Sequence, residues 1–156
     1  MKHLILCLLT VCLLSCGTTK TVRQSKKVIK GDWVIDNITY SEAGTYNVQL
    51  LGDASKECFE GSTWNFIPNN NTGTYTVNNT ECTDGVRNFV FTIKEIDELT
   101  GLYDFLLKPT NEKNKSETNT GFRLNLAALS DTQMQWKQTV DLEGKPFTIT
   151  INFSKL

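Results

Sequence analysis

The chain has 156 residues, with 16 Lys and Arg against 17 Asp and Glu, a formal charge of −1. That balance leaves no basic surface of the size that nucleic-acid binding needs. The single histidine, His3, stands at the extreme N-terminus; if that end is removed, no imidazole remains for a Ser-His or Cys-His nucleophile pair or for the usual zinc ligand sets, so neither catalysis nor a metal or cofactor is expected.

Met1-Lys2-His3 precede a run from Leu4 to Leu14 with almost no polar residue. A charged start, a short apolar run and a small residue describe a secretory signal over residues 1–15, too short for a membrane span. Leu13-Leu14-Ser15-Cys16-Gly17 resembles the bacterial lipoprotein box. The resemblance implies cleavage before Cys16 and attachment of diacylglycerol to its sulfur. Each buried acyl methylene contributes about 0.8 kcal/mol, and two or more chains make a stable membrane anchor. Gly17 and Thr18 follow without an Asp, which by resemblance to sorting rules implies the outer membrane. The absence of an acidic cluster there favours its periplasmic leaflet.

Residues 16–30 form the lipidated Cys and a tether that carries Lys20, Arg23, Lys26, Lys27 and Lys30 and no acidic residue. With little to bury, the tether is expected to be disordered. Its cations suit anionic headgroups, at about 1 kcal/mol per charge near the surface.

Residues 31–156 make one domain, long enough for a sizeable core. The first predicted strand, residues 31–40, opens on Gly31-Asp32-Trp33 and places Trp33 at one end of the core. A turn at 41–44 leads to residues 46–50, whose Tyr46, Val48 and Leu50 alternate with polar neighbours as in a half-buried strand. Residues 52–58 read as a connector with a helical turn. Residues 61–67 are a strand with Trp64 and Phe66 on one face, and the Asn-rich stretch 68–73 is a hairpin loop. Residues 74–78 return with Tyr75 and Val77 inward. A loop at 79–85 is followed by residues 88–94, with Phe89, Phe91 and Ile93 on one face. Residues 102–108 are a strand stopped by Pro109, and 111–120 an exposed loop. Strands at 122–126 and 133–138 follow, the second turning Met134 and Trp136 the same way. Residues 141–144 are the last tight turn, before a strand of clean two-residue period at 147–153. The pattern is all-β: eight or nine short antiparallel strands, suited to an up-and-down barrel or a sandwich.

Cys7 and Cys12 belong to the signal and Cys16 to the lipid, which leaves Cys58 and Cys82. In the oxidising compartment beyond the inner membrane, two leftover cysteines are expected to pair, with two free buried thiols as the alternative.

Taken together these pieces resemble a family. Gly31-Asp32-Trp33 resembles the G-x-W motif of lipocalins. The lipobox, the short tether, the run Cys58-Phe59-Glu60-Gly61-Ser62-Thr63-Trp64-Asn65-Phe66, the Asn-Gly turn and the second cysteine together resemble the lipocalin-like lipoproteins common in Bacteroidetes. The likeness covers residues 16–156 and implies a barrel with an apolar cavity. It departs from animal lipocalins in lacking a T-D-Y run and in placing Lys155 after the last strand where an Arg would be expected, so their transport roles are not carried over. The implied ligand is a small apolar molecule, held by an inward set of Trp64, Phe66, Tyr75, Phe89, Phe91, Tyr103, Phe105, Phe122, Met134 and Trp136. The competing reading is that these side chains fill the barrel, which then displays loops to a protein partner as a structural module of the cell envelope. So many large residues in a domain of this size argue for a small cavity.

Overall fold

A computed structural model describes residues 20–97 and 102–156. The expected leader and lipobox, with Cys16, and residues 98–101 lie outside the described residues.

The first described element corrects the reading of the tether. Lys20–Ile29 is a helix, α1, rather than a disordered segment. Its Val22 and Ile29 are buried, one on each end of a stripe seven residues apart, which is two helical turns. Two apolar side chains are too few to stabilise a free helix, but they suffice once a ready-made apolar surface lies beneath them.

That surface is the end of a barrel. The strands are β1 (Gly31–Tyr40), β2 (Thr63–Ile67), β3 (Thr72–Thr76), β4 (Val86–Asp97), β5 (Leu102–Thr110), β6 (Phe122–Leu129), β7 (Gln133–Leu142) and β8 (Lys145–Lys155). Each is antiparallel to its sequence neighbour. β1 pairs with β8 and closes the cylinder. There are thus eight barrel strands among the described residues, the lower of the two expected counts. Closure removes every free sheet edge along the paired region.

One expected strand does not form. Residues 46–50 have a strand's alternation, yet they make only an isolated bridge, Leu50 to Ala54. No barrel strand takes them as a partner. They belong instead to a long lid, residues 41–62, which also contains the one-turn helix α2 (Lys56–Phe59).

Three smaller readings also shift. Pro109 does not stop β5, because the ladder to β6 has already ended at Leu107 opposite Phe122. One flank of the proline is free there, a position where a missing N–H is tolerated. Gly73 sits inside β3 rather than in the turn: a Cβ there would lie 2.3 Å from the Phe89 ring and 2.6 Å from the Asn65 carbonyl oxygen. A bulge between Ile35 and Asn37 re-phases β1, so the buried set runs Trp33, Ile35, then Ile38.

The two ends of the barrel differ. The closed end carries α1 and the β2–β3 and β6–β7 turns. The mouth carries the lid, the β3–β4 and β5–β6 loops and the β7–β8 hairpin. In that hairpin Glu143 and Gly144 both take positive φ, 54° and 80°, as a two-residue turn between twisted strands requires.

Candidate functional site

The ten nominated interior residues divide into two groups. Trp64, Phe66, Tyr75, Phe89, Phe91, Phe105, Met134 and Trp136 are all buried, and seven of them stack into one aromatic column. The Trp64 ring lies 4.4 Å from that of Tyr75 and meets Trp136 edge-on at 5.5 Å. Phe105 stacks on Trp136 at 4.7 Å. The barrel is therefore filled along this column by its own side chains, as small eight-stranded barrels commonly are. Tyr103 and Phe122 are half-buried at opposite rims, Tyr103 in a recess beside α1 and Phe122 at the mouth.

Within the column the polar atoms are unevenly served. Trp64 donates its indole N–H to Ser62 Oγ at 2.9 Å, and Ser62 in turn donates to the Phe59 carbonyl. Trp136 Nε1 and Tyr40 Oη are buried without a partner among the described residues.

A concave apolar surface lies at the mouth, and it follows from register. The β6–β7 ladder runs only from Leu129–Met134 to Asn125–Lys137, whereas β7 and β8 stay paired to Leu142–Lys145. β1 leaves β8 at Tyr40–Ile149. The β7–β8 hairpin therefore projects beyond the rest of the barrel with a free inner face. Gln138 and Val140 lie on that face, directly across from Ile149 and Phe147.

The lid's Tyr46, Val48, Leu50 and Leu51 form the opposite wall, and Phe122 closes the side where β6 has separated from β7. The enclosed volume is about 260 Å³. An adjoining recess of about 370 Å³ shares Tyr46, Leu142 and Phe147 with it. Val140 and Leu142 are 38% and 41% exposed. Tyr40 packs against both Tyr46 and Phe147, at 5.6 and 5.3 Å between rings.

The lid is held by fixed points. Cys58 and Cys82 form a disulfide across 24 residues, tying α2 to the β3–β4 loop. Asp53 accepts hydrogen bonds from Tyr75 Oη at 2.8 Å and Arg87 Nε at 3.0 Å. Burial first, and then the bond to Asp53 and its charge, push the Tyr75 phenol well above its ordinary value, with Arg87 pulling slightly the other way. Glu60 accepts from the Ile38 N–H at 2.7 Å, next to the β1 bulge. These carboxylates have structural partners, as does Asp104, 3.4 Å from Arg123. Among the described residues no group of His, Cys, Asp and Glu is arranged to hold a metal ion.

The sequence reading reached Phe122 but missed the rest of the groove. The missed signal was the alternation of β7, which continues through Val140 and Leu142 after its partner on the β6 side has ended. Tyr46, Val48 and Leu50 were seen as inward-facing and given the wrong element.

No protein-family model and no curated protein sequence matches the chain. Among solved structures it is similar to the crystal structure of a lipocalin-like protein from Bacteroides uniformis. The TM-score is 0.50 at 11% identity, and the likeness covers 83% of this chain and 99% of that one. At that identity it speaks for the fold, a lipocalin-like barrel.

Proposed function

We propose that this lipocalin-like barrel is a lipid-anchored protein of the bacterial outer membrane that binds a small apolar molecule at its mouth rather than along its axis. One observation carries the location of the site. The column of aromatic rings occupies the interior, and the apolar recess lies between the lid and the projecting β7–β8 hairpin. Its volume of about 260 Å³ lies just under the range of small-molecule sites, and the adjoining recess of about 370 Å³ brings the pair within it. The lining is mostly aliphatic and aromatic, with Asn47, Gln49 and Gln138 as polar exceptions. A single acyl chain or a small terpenoid matches that chemistry. Lipid anchoring rests on the lipobox of residues 13–17, and the outer membrane on the residues that follow Cys16.

The test is titration of the full-length protein with a fluorescent fatty acid, comparing wild type with Val140→Asp. Val140 is exposed enough for the carboxylate to stay solvated in the free protein, so far-UV circular dichroism should not change. Affinity should fall at least tenfold, about 1.4 kcal/mol, because the bound chain would desolvate the new charge. Equal affinity of the two proteins, or no binding by either, would remove the mouth as the ligand site.

A further inference from the structure

The helix that replaced the expected disordered tether changes how the barrel can sit on a membrane. Val22 and Ile29 face the barrel. Lys20, Arg23 and Lys27 are exposed, and their i, i+3, i+7 spacing places them in one stripe on the opposite side of the helix. Lys30, just beyond the helix, is exposed as well. None of the four has an ion-pair partner among the described residues.

The helix is also fixed in place. Trp33 donates its indole N–H to the Ile29 carbonyl at 2.8 Å. Lys155 donates to the Val28 carbonyl at 2.7 Å, and its ammonium lies 5.1 Å from the centre of the Trp33 ring. A cation at the carbonyl end of a helix also meets the negative end of its dipole. At a third point Lys26 donates to Asn71 in the β2–β3 turn. The cationic stripe is thus held rigidly across the closed end, facing away from the barrel.

Between Cys16 and Lys20 stand only Gly17, Thr18 and Thr19. However those residues are arranged, four residue steps reach at most about 14 Å. A lipid on Cys16 would hold the start of α1 within that distance of the bilayer surface, where the field of anionic headgroups is felt.

We propose that α1 is a membrane-docking foot. Its stripe of Lys20, Arg23 and Lys27, with Lys30, lies on anionic lipid headgroups, so the barrel stands on its closed end and turns its mouth away from the bilayer. This orientation rests on the lipid anchor proposed above. The stripe is the positive part of a mixed end: Asp32 and Asp131 are exposed at the same end. Charge complementarity therefore belongs to the helix, and a tilt toward it is expected.

The test uses the protein purified from its host and reconstituted in vesicles of phosphatidylcholine, with or without 30% phosphatidylglycerol. Mass spectrometry of its N-terminal peptide reports acylation separately, so failure of the anchor and failure of the orientation are told apart. Spin labels at Asp131→Cys, by the closed end, and at Glu143→Cys, by the mouth, report proximity to the headgroups. On anionic vesicles the first label should be near the surface and the second remote. In the variant Lys20→Gln, Arg23→Gln, Lys27→Gln, and on neutral vesicles, the difference should shrink to what the lipid tether alone imposes. Protein without acyl chains should still partition onto the anionic vesicles, and the triple variant should lower that partitioning about 100-fold, at roughly fivefold per cation. Equal proximity of the two labels on anionic vesicles, with acylation confirmed, would overturn the proposal. So would partitioning that the triple variant leaves unchanged.

Discussion

At the closed end, α1 drops two apolar side chains onto the barrel, and Trp33 and Lys155 clamp its last turn. At the mouth, a lid of about twenty residues is held by a disulfide, a Tyr–Asp–Arg cluster and a few aliphatic side chains. The closed end is sealed by a short helix whose apolar side chains and last turn are anchored from β1, β8 and the β2–β3 turn, the mouth by a disulfide and a polar cluster that hold the lid at a few points. The second arrangement can be loosened without disturbing the barrel, which is what a ligand-admitting end requires. The contrast separates the aromatic column and the closed end, which carry stability, from the lid and the free hairpin face, where the proposed ligand site lies.

The largest effect should come from the column. Trp64→Ala removes a ring that contacts Tyr75, Trp136, Phe66, Phe89 and Phe153. A loss of about 3–5 kcal/mol is expected by chemical denaturation. A loss under about 1 kcal/mol would mean that the interior is less tightly packed than its ring geometry indicates.

Replacing both Cys58 and Cys82 by Ser should cost about 3 kcal/mol on the loop-entropy estimate. Amide exchange should rise most in residues 50–62, with α1 and β8 little changed. Equal loss of protection at both ends would show that the lid and the barrel open as one unit.

The smallest effect concerns the Asp53 cluster and appears at high pH. Tyr75 is protonated in the folded protein to a pH well above the ordinary phenol value of 10.0. A raised pKa contributes stability that is intact below about pH 10, where the unfolded chain begins to ionise, and that is lost as pH climbs toward the folded value. Stability should therefore fall from about pH 10 upward. Tyr75→Phe, which costs about 1 kcal/mol at neutral pH through the lost bond to Asp53, should show a flatter profile above pH 10. An unaltered alkaline slope in that variant would assign the loss to other groups.

The sequence by itself determined an all-β fold and most of its core; alternation left barrel and sandwich open, the resemblance pointed to the barrel, and pairing of β1 with β8 decided it. Period-two alternation with turn residues between segments fixes which faces are apolar, and Trp64, Phe66, Phe89, Trp136 and Ile149 all lie where that alternation puts them. The pairing of Cys58 with Cys82 also followed from compartment and count. Tertiary structure decided what alternation cannot express. Residues 46–50 carry a strand pattern but make a single bridge, Leu50 to Ala54, and pack as one wall of the mouth groove. Lys20–Ile29 carries too few apolar residues to be read as a helix, yet two suffice when a barrel end receives them. Gly73 looked like a turn residue, and only the approach of the Phe89 ring from a neighbouring strand shows that its missing side chain is a matter of space. The mouth groove exists because β6 parts from β7 before β8 does. Register of that kind is set by cross-strand partners far apart in the chain, and no local window of sequence contains it.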